Sequence, residues 1–313
     1  MEKQIVWSKN LDNQTVQEFI LLVFEITRDI RFLFFSTLLL IYLAILAGNL
    51  LVITMVHRAV NLQTPMYFLL GHLSFAEVLF TTNIVPNMLN TVLCNGGLIT
   101  LEGCITQFFM FSSSTTAECL LLSIMSYDRF LAICSPLQYS SLMTQHLCLK
   151  LVCSSWLTGI VISLPAAILI SKLHFCGSNV IDHFFCDLAP ILQLSCSDTT
   201  FLEMEDLILS FPVLVFPLIF IVVTYIRIIF VICRIPTSSG KQKAFSTCSS
   251  HLLVVCTYYG TLIIVYMTPS VDHSVSKLLA LLYIVGTPLL NPIIYSLRSR
   301  EIRDSLKKLR SLL

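Results

Sequence analysis

Long apolar stretches recur along this chain, and they constrain its fold more than any other feature. Five of them contain no Asp, Glu, Lys or Arg. Each is near or above the roughly 20 residues that a helix needs to cross the hydrocarbon core of a bilayer. Two further stretches of similar length each have a single acid near the middle, Glu77 and Glu118. We predict seven transmembrane helices, at 32–56, 64–88, 104–133, 151–171, 207–226, 244–271 and 278–297.

The composition excludes a soluble protein. Only 12% of the 313 residues are charged and 56% are hydrophobic, whereas soluble domains contain roughly 25% charged residues. The mean hydropathy of +0.85 agrees with this interpretation. We therefore predict an all-α fold, a seven-transmembrane helix bundle.

The basic residues predict which side of the membrane each end of the chain occupies, because Lys and Arg collect in cytoplasmic loops. With the N-terminus outside and the C-terminus inside, 13 of the 19 basic residues lie on the inner side. We therefore predict an extracellular tail at 1–31, a transmembrane domain at 32–297 and a cytoplasmic tail at 298–313. The inner set is Arg58, Arg129, Lys150, Arg227, Arg234, Lys241, Lys243, Arg298, Arg300, Arg303, Lys307, Lys308 and Arg310.

The outer side contains candidate modification sites. Asn13 begins an Asn-Gln-Thr glycosylation sequon in the outer tail. Cys104 lies at the top of the third stretch, and Cys176, Cys186 and Cys196 share one long outer loop. Disulfides persist on this side of the membrane, and four cysteines allow three pairings. Cys94 is left over, and we expect a free thiol there.

An adjacent acid and base, Asp128 and Arg129, lie at the inner end of the third stretch. Charge at this depth is rare and is often functional. Arg129 stays charged at any cellular pH and presents a rigid fan of donors, so it needs Asp128 at rest and other acceptors when the helices part. The alternative interpretation is a static ion pair that anchors a helix end.

The two mid-membrane acids, Glu77 and Glu118, also allow two interpretations. A lone ionised carboxylate at this depth is costly. One hypothesis is a sodium or proton site that involves Asn49, Glu77, Glu118 and Asn291 and favours an inactive state. The other is a pair of protonated acids that hydrogen-bond neighbouring helices.

Several short motifs are shared with a known family. Asp128-Arg129-Phe130 ends the third stretch, and Asn291-Pro292 with Tyr295 lies in the seventh, as in rhodopsin-like G-protein-coupled receptors. Four longer motifs, at 64–67, 125–137, 243–252 and 288–298, narrow the match, and together they resemble the vertebrate olfactory receptors. The similarity covers nearly the whole chain. Phe130 stands where the family usually has Tyr, and Glu77 where it has Asp.

The resemblance implies a function and a mechanism. It implies an odorant receptor, not an enzyme, which binds a small volatile ligand and activates a heterotrimeric G protein with the olfactory stimulatory alpha subunit, so that cAMP rises. It also implies that Tyr225 and Tyr295 meet Arg129 in the active state, and that Pro292 permits a bend. The predicted switch residues are Asp128, Arg129, Tyr225, Asn291, Pro292 and Tyr295. Of the three cysteine pairings, we predict Cys104–Cys186 with Cys176–Cys196.

A ligand pocket is expected between the outer halves of the helices. Phe111 occupies the position where an amine receptor has an aspartate, so we expect no acid there for an ammonium ligand. A mostly apolar pocket with a few hydroxyls suits a small neutral volatile molecule, although each residue could also be ordinary helix packing. We expect Lys277 to extend toward the interface rather than to bind an acid or an aldehyde. The predicted pocket residues are Phe111, Ser112, Thr115, Thr116, Ser210, Val213, Tyr259, Leu262, Ile263, Tyr266, Leu281 and Ile284.

The tail at 298–313 has the spacing of a short amphipathic eighth helix on the anionic inner leaflet; a frayed basic tail is the alternative.

We expect a multi-pass protein of the plasma membrane, in the cilia of olfactory sensory neurons, with membrane lipids as partners and neither a cofactor nor a nucleic-acid partner. A chemosensory receptor for a non-odorant molecule, acting outside the olfactory epithelium, is the alternative function. Hydrolase motifs and the internal repeats of transporters are absent from the sequence.

Overall fold

The computed structural model describes residues 16–24, 27–59, 62–176, 178–267 and 273–298. It is a bundle of long helices with a small sheet at one end. The helices are α1 (Arg28–Arg58), α2 (Pro65–Cys94), α3 (Leu101–Cys134), α4 (Pro136–Leu142), α5 (Gln145–Ile170), α6 (Leu188–Leu192), α7 (Thr200–Arg234), α8 (Ser238–Met267), α9 (His273–Leu281) and α10 (Thr287–Arg298).

Within the described residues, seven long helical segments form the bundle, because a π-helical turn at Leu282–Gly286 joins α9 and α10 into one. Among the described residues, six segments are long and apolar enough to cross a membrane: α1, α2, α3, α5, α7 and Lys277–Tyr295. The seventh, α8, has a shorter apolar part at Cys248–Ile264. The predicted seven-helix bundle is therefore confirmed. Several helices extend past the apolar stretches, since α7 alone has 35 residues.

The third helix, α3, is at the centre of the bundle and packs against α2, α5, α7 and α8. Of the 18 residues that form the most apolar part of α3, 61% are buried, whereas the corresponding shares in α1 and α7 are 22% and 17%. Exposed apolar side chains on α1 and α7, such as Leu33 and Phe216, would be unfavourable in water and suit a lipid environment.

Two close approaches determine how neighbouring helices pack. A Cβ atom built on Gly48 of α1 would lie 3.0 Å from Cγ of Pro292 in α10. A Cβ atom built on Gly159 of α5 would lie 2.5 Å from the carbonyl oxygen of Ser113 in α3. The absence of a side chain at Gly48 makes room for the ring of Pro292, and its absence at Gly159 lets the backbones of α5 and α3 approach closely, as is common in membrane helix packing.

A three-stranded sheet lies at the end of the bundle that we call the outer end; the end with Asp128 and Arg129 is the inner end. Strands β1 (Glu18–Leu21), β2 (Gly97–Thr100) and β3 (Val180–Ile181) have the order β2-β1-β3. Strand β1 is antiparallel to β2 and parallel to β3. The sequence did not predict this sheet.

The long outer loop between α5 and α7 is fixed to the bundle. Two disulfides, Cys104–Cys186 and Cys176–Cys196, are present, and they are the predicted pairs. Cys186 is fully buried and its backbone N–H donates to Oε1 of Gln107 at 2.9 Å. The loop is therefore attached to the top of α3 by a covalent bond and a hydrogen bond.

Candidate functional site

The inner end of α3 contains a closed ion pair. The guanidinium of Arg129 donates to Oδ2 of Asp128 through Nη2 at 2.5 Å and through Nε at 3.1 Å. From α4, the hydroxyl of Tyr139 donates to the other carboxylate oxygen of Asp128 at 2.8 Å. Burial and the neighbouring charge of Asp128 raise the pKa of Tyr139, so its hydroxyl keeps the proton that it donates. Asp128 thus holds Arg129 within its own helix.

The predicted active-state partners of Arg129 are engaged elsewhere or have no partner. The hydroxyl of Tyr225 in α7 is 2.7 Å from Nδ1 of His251 in α8, and the two rings stack with centroids 5.7 Å apart. The buried hydroxyl of Tyr295 has no hydrogen-bond partner among the described residues. Among the described residues, neither tyrosine hydroxyl is hydrogen-bonded to Arg129. Sequence reasoning did not single out His251, although it lies within the quoted motif at 243–252.

A polar cluster lies deeper in the bundle. Glu77 of α2 accepts a hydrogen bond from the side-chain amide of Asn291. Asn49 of α1 donates to the carbonyl oxygens of Pro288 at 3.1 Å and Ile45 at 3.2 Å. Together these bonds join three helices, α1, α2 and α10, through polar contacts at one depth.

Several oxygens of this cluster lack donors. Within the described part of the chain, Oδ1 of Asn49, Oε2 of Glu77 and Oδ1 of Asn291 are buried without a hydrogen-bond partner, as is Oε1 of Glu118 on α3. Glu118 is close enough to Glu77 to interact with it electrostatically. Amide and carboxylate oxygens are the ligands that hard cations prefer. Of the four residues that the sequence placed in one candidate site, Asn49, Glu77 and Asn291 are thus connected through α10 by hydrogen bonds, and Glu118 acts on Glu77 from α3.

An aromatic cluster occupies the outer half of the bundle. The ring of Phe111 in α3 lies 5.6 Å from Phe80, 5.1 Å from Phe185 and 6.5 Å from Tyr283, measured between centroids. Phe185 comes from the outer loop and is almost fully buried. Four elements therefore meet around the side chain of Phe111: the outer loop, α2, α3 and the π-helical turn after α9.

Hydrogen bonds link this cluster to α8. The hydroxyls of Thr115 and Tyr283 are 3.1 Å apart. The hydroxyl of Tyr258 donates to the carbonyl oxygen of Thr115 at 3.0 Å, and that of Tyr259 donates to the carbonyl oxygen of Cys119 at 3.4 Å. The two adjacent tyrosines of α8 thus both anchor to α3.

The structure brings most of the predicted pocket residues toward the bundle interior. Buried among them are Phe111, Thr116, Tyr259, Leu262 and Ile284, while Ser112, Thr115, Ser210, Val213 and Leu281 are half-buried. Ile263 differs, since it is 39% exposed and packs outside the core. The structure does not bring it together with the others, because it lies one residue past the inward face of α8. The side chain of Tyr266 lies outside the described residues.

Sequence reasoning missed the contribution of the outer loop and one acid. His183, Phe184 and Phe185 are all buried, and their proximity to the half-cystine Cys186 was the available signal. The expectation that the pocket offers no acid to an ammonium ligand considered position 111 alone. In the structure, the hydroxyl of Ser210 donates to Oδ1 of Asp206 at 2.9 Å, so an acid accompanies a predicted pocket residue on α7.

The expectation for Lys277 was wrong. Its side chain is only 9% exposed, and Nζ donates to Oδ1 of Asp182 on the outer loop at 2.5 Å. The carboxylate within reach offers a stronger interaction than the interface to which the side chain was expected to extend.

Two titratable groups of the outer loop have shifted pKa values. Burial lowers the pKa of His183 to about 4, and the charge of Lys277 adds to this effect. Burial raises the pKa of Asp187 to about 6, and nearby Asp206 adds to that shift. The imidazole of His183 is therefore neutral at physiological pH.

Some predicted features lie outside the described residues. These are the glycosylation sequon at Asn13 and the amphipathic helix of the tail, of which the structure describes Arg298 alone.

Comparison with known proteins identifies the family. A family model described as olfactory receptor matches residues 38–312. Human olfactory receptor 11A1 is 44% identical over 299 residues, which are 95% of each chain. Human olfactory receptor 10A7 is 45% identical over 300 residues, again 95% of each chain. Rat olfactory receptor 287 is 43% identical over 307 residues, 97% of this chain and 98% of the relative. The chain therefore belongs to the olfactory receptor family, a family of multi-pass membrane receptors that couple to heterotrimeric G proteins and are not enzymes.

Proposed function

We propose that this receptor binds small, mostly apolar volatile molecules beside the aromatic cluster around Phe111 and activates the stimulatory olfactory G protein, so that cAMP rises in the cilia of olfactory sensory neurons. The observation that supports this most is the cluster itself. It combines aromatic rings from four elements with the hydroxyls of Thr115 and Tyr283. Such a lining binds apolar ligands and orients them through a few polar contacts.

The geometry supports a route from this cluster to the inner end. Phe111 and Arg129 lie on the same helix, 18 residues apart, which corresponds to about 27 Å at 1.5 Å per residue. In α8, Tyr258 touches the cluster, and His251, two turns further inward, holds Tyr225. One helix therefore joins the ligand region to the Tyr225 contact.

We infer that a ligand moves α8 relative to α3. A molecule that displaces Tyr258 from the carbonyl of Thr115 would shift the helix that holds His251. The hydroxyl of Tyr225 would then be free to approach Arg129, whose present partner is Asp128. This is a population shift between two pairings of the same groups, of the kind that small interface movements produce.

The cluster of Asn49, Glu77, Glu118 and Asn291 is proposed to bind sodium and to favour the resting state. The four buried oxygens without donors support a cation, whereas a protonated Glu77 would also be compatible with the bond to Asn291. Sodium titration of basal signalling separates these alternatives. A sodium-dependent decrease in wild type that is absent in Glu77→Gln supports the ion site; the same response in both variants refutes it.

The proposed function is tested by cAMP output in cells that express this chain with the olfactory G protein, screened against a broad panel of volatiles. Arg129→Ala is expected to abolish the response at equal surface expression. Arg58→Ala, which removes an exposed basic residue at the inner end of α1, is the matched control and is expected to retain it. Silence of the wild type at normal surface level would contradict the proposal.

A further inference from the structure

An ammonium group is buried at the outer end of the candidate pocket. Lys277 is 7% exposed as a residue, and within the described part of the chain its Nζ makes one hydrogen bond, to Oδ1 of Asp182 at 2.5 Å. The carboxylate side chain of Asp182 is 57% exposed. An ammonium has three donors, so two N–H groups of Lys277 remain for another acceptor.

A second polar group lies beside the first. His183 is 7% exposed, and its Nδ1 has no hydrogen-bond partner among the described residues. Lys277 and Asp182 are the two charged groups that act on this imidazole. A buried polar atom without a partner costs free energy, which a ligand can recover by supplying the missing hydrogen bond.

Both groups adjoin the candidate pocket. Lys277 precedes Leu281 by four residues in α9, which places the two on one helical face. The ring of His183 lies 4.7 Å from that of Phe185, and Phe185 lies 5.1 Å from Phe111. The imidazole of His183 is therefore one ring away from Phe111, and Asp182, the ion-pair partner of Lys277, directly precedes His183 in the chain.

We propose that Lys277 and His183 form a polar subsite that accepts the carbonyl oxygen of a neutral volatile ligand, such as an aldehyde, ketone or ester, whose hydrocarbon part lies along the aromatic cluster. The proposal rests on the proposed function and specifies the ligand class. The carbonyl oxygen of the ligand accepts one hydrogen bond from an N–H of Lys277. It accepts a second from Nδ1–H of His183, in the tautomer that carries the proton on Nδ1.

A neutral carbonyl fits this subsite better than a carboxylate does. Asp182 already neutralises the charge of Lys277, so a ligand carboxylate would have to displace Asp182 or remain close to it with the same charge. It would also have to lose its hydration shell, which is expensive for an ion. A carbonyl oxygen needs neither step, because it uses donors that the ion pair leaves free.

The test uses straight-chain analogues of equal length that carry a ketone, an alcohol, a carboxylate or no polar group. Half-maximal concentrations for cAMP are measured at matched surface expression. We expect wild type to favour the ketone over the hydrocarbon by about tenfold or more, the size expected for a hydrogen bond to a charged donor. Lys277→Met keeps an apolar chain of similar length, and it should reduce this ratio to about one while the hydrocarbon response is unchanged. His183→Phe should reduce the ratio in part.

Two controls separate binding from structure. Asp182→Asn breaks the charge pair but leaves the ammonium in place, so the ketone preference should persist; its loss would show that the ion pair, not the subsite, is responsible. An equal loss of response to ketone and hydrocarbon in Lys277→Met would indicate a purely structural role and overturn the proposal. A carboxylate preference that depends on Lys277 would overturn the neutral class.

A measurement without signalling keeps the proposal distinct from the proposed function. Purified receptor is heated with each analogue, and the ketone is expected to raise the melting temperature of wild type but not that of Lys277→Met. If cAMP is silent while this shift is present, the proposed coupling fails and the subsite stands. If the ketone gives no larger shift than the hydrocarbon, the subsite is refuted whatever the signalling result.

Discussion

Gly159→Ala would test how closely the two most extensively packed helices, α3 and α5, must approach. A methyl group at position 159 would lie 2.5 Å from the carbonyl oxygen of Ser113, and 3.2 Å from its carbonyl carbon. Ordinary contact begins at 3.4 Å, so the methyl group is about 0.9 Å too close. The obstructing atoms belong to the backbone of α3, and a rotamer change cannot move them. The helices must therefore separate locally.

The expected cost follows from overpacking. Inserting a methyl group into a well-packed interior costs about 1–3 kcal/mol. Replacing Gly by Ala inside a helix also gives an intrinsic gain of roughly 1 kcal/mol, which partly offsets the cost. Gly260→Ala in α8 is a matched control, because a Cβ atom there meets nothing within 4 Å. Both variants share the intrinsic gain, so their difference isolates the clash at about 1–3 kcal/mol.

The assay is the thermal stability of purified receptor in one detergent, with both variants and wild type measured side by side. For a chain of 313 residues, a difference of about 2 kcal/mol corresponds to roughly 3 °C in melting temperature. We expect Gly260→Ala to melt at or slightly above wild type and Gly159→Ala several degrees below Gly260→Ala. Equal melting temperatures for the two variants would refute the close approach of α5 to α3.

Three further outcomes are expected. Asp128→Asn removes the charge that holds Arg129 and should raise ligand-independent cAMP at equal surface expression; an unchanged basal level would contradict the resting-switch interpretation. Cys104→Ser opens the disulfide that anchors the outer loop and should cost about 2–5 kcal/mol, seen as reduced surface expression. Because the pKa of Asp187 is raised, its contribution to the stability of the folded state decreases as pH increases from about 4 to about 6. Because the pKa of His183 is lowered, its contribution to that stability increases as pH increases from about 4 to about 6.5. Relative to wild type, the melting temperature of Asp187→Asn should therefore rise more steeply with pH in this window, and that of His183→Gln less steeply; slopes equal to that of wild type in both variants would refute the assignment.

Six of the seven helices were predictable because each contains enough apolar residues to span the membrane, and the other, α8, was predictable because the stretch 244–271 contains no charged residue. The acid and base at the end of α3 were also predictable, since charge is rare in this chain. The outer sheet was not, because β1 and β3 are short segments that pair across 160 residues (Ile20 with Val180). No local pattern in the sequence determines such a pairing. The same limitation applies to Phe184 and Phe185, which enter the bundle from a loop.

Hydrophobicity alone could not identify the interior of this bundle, and the pocket residues show why. In water, an apolar side chain marks the buried face of a helix; in lipid, both faces are apolar. Leu262 and Ile263 are adjacent and equally suited to a membrane, yet Leu262 is buried and Ile263 is 39% exposed. Polar residues are the better guide, because they must find partners away from lipid. Asn49 and Thr224, although polar, are both buried, and each lies on the helix face that packs against the rest of the bundle. The faces of α1 and α7 that carry polar residues in mid-membrane should therefore be assigned to the interior before any apolar residue is considered.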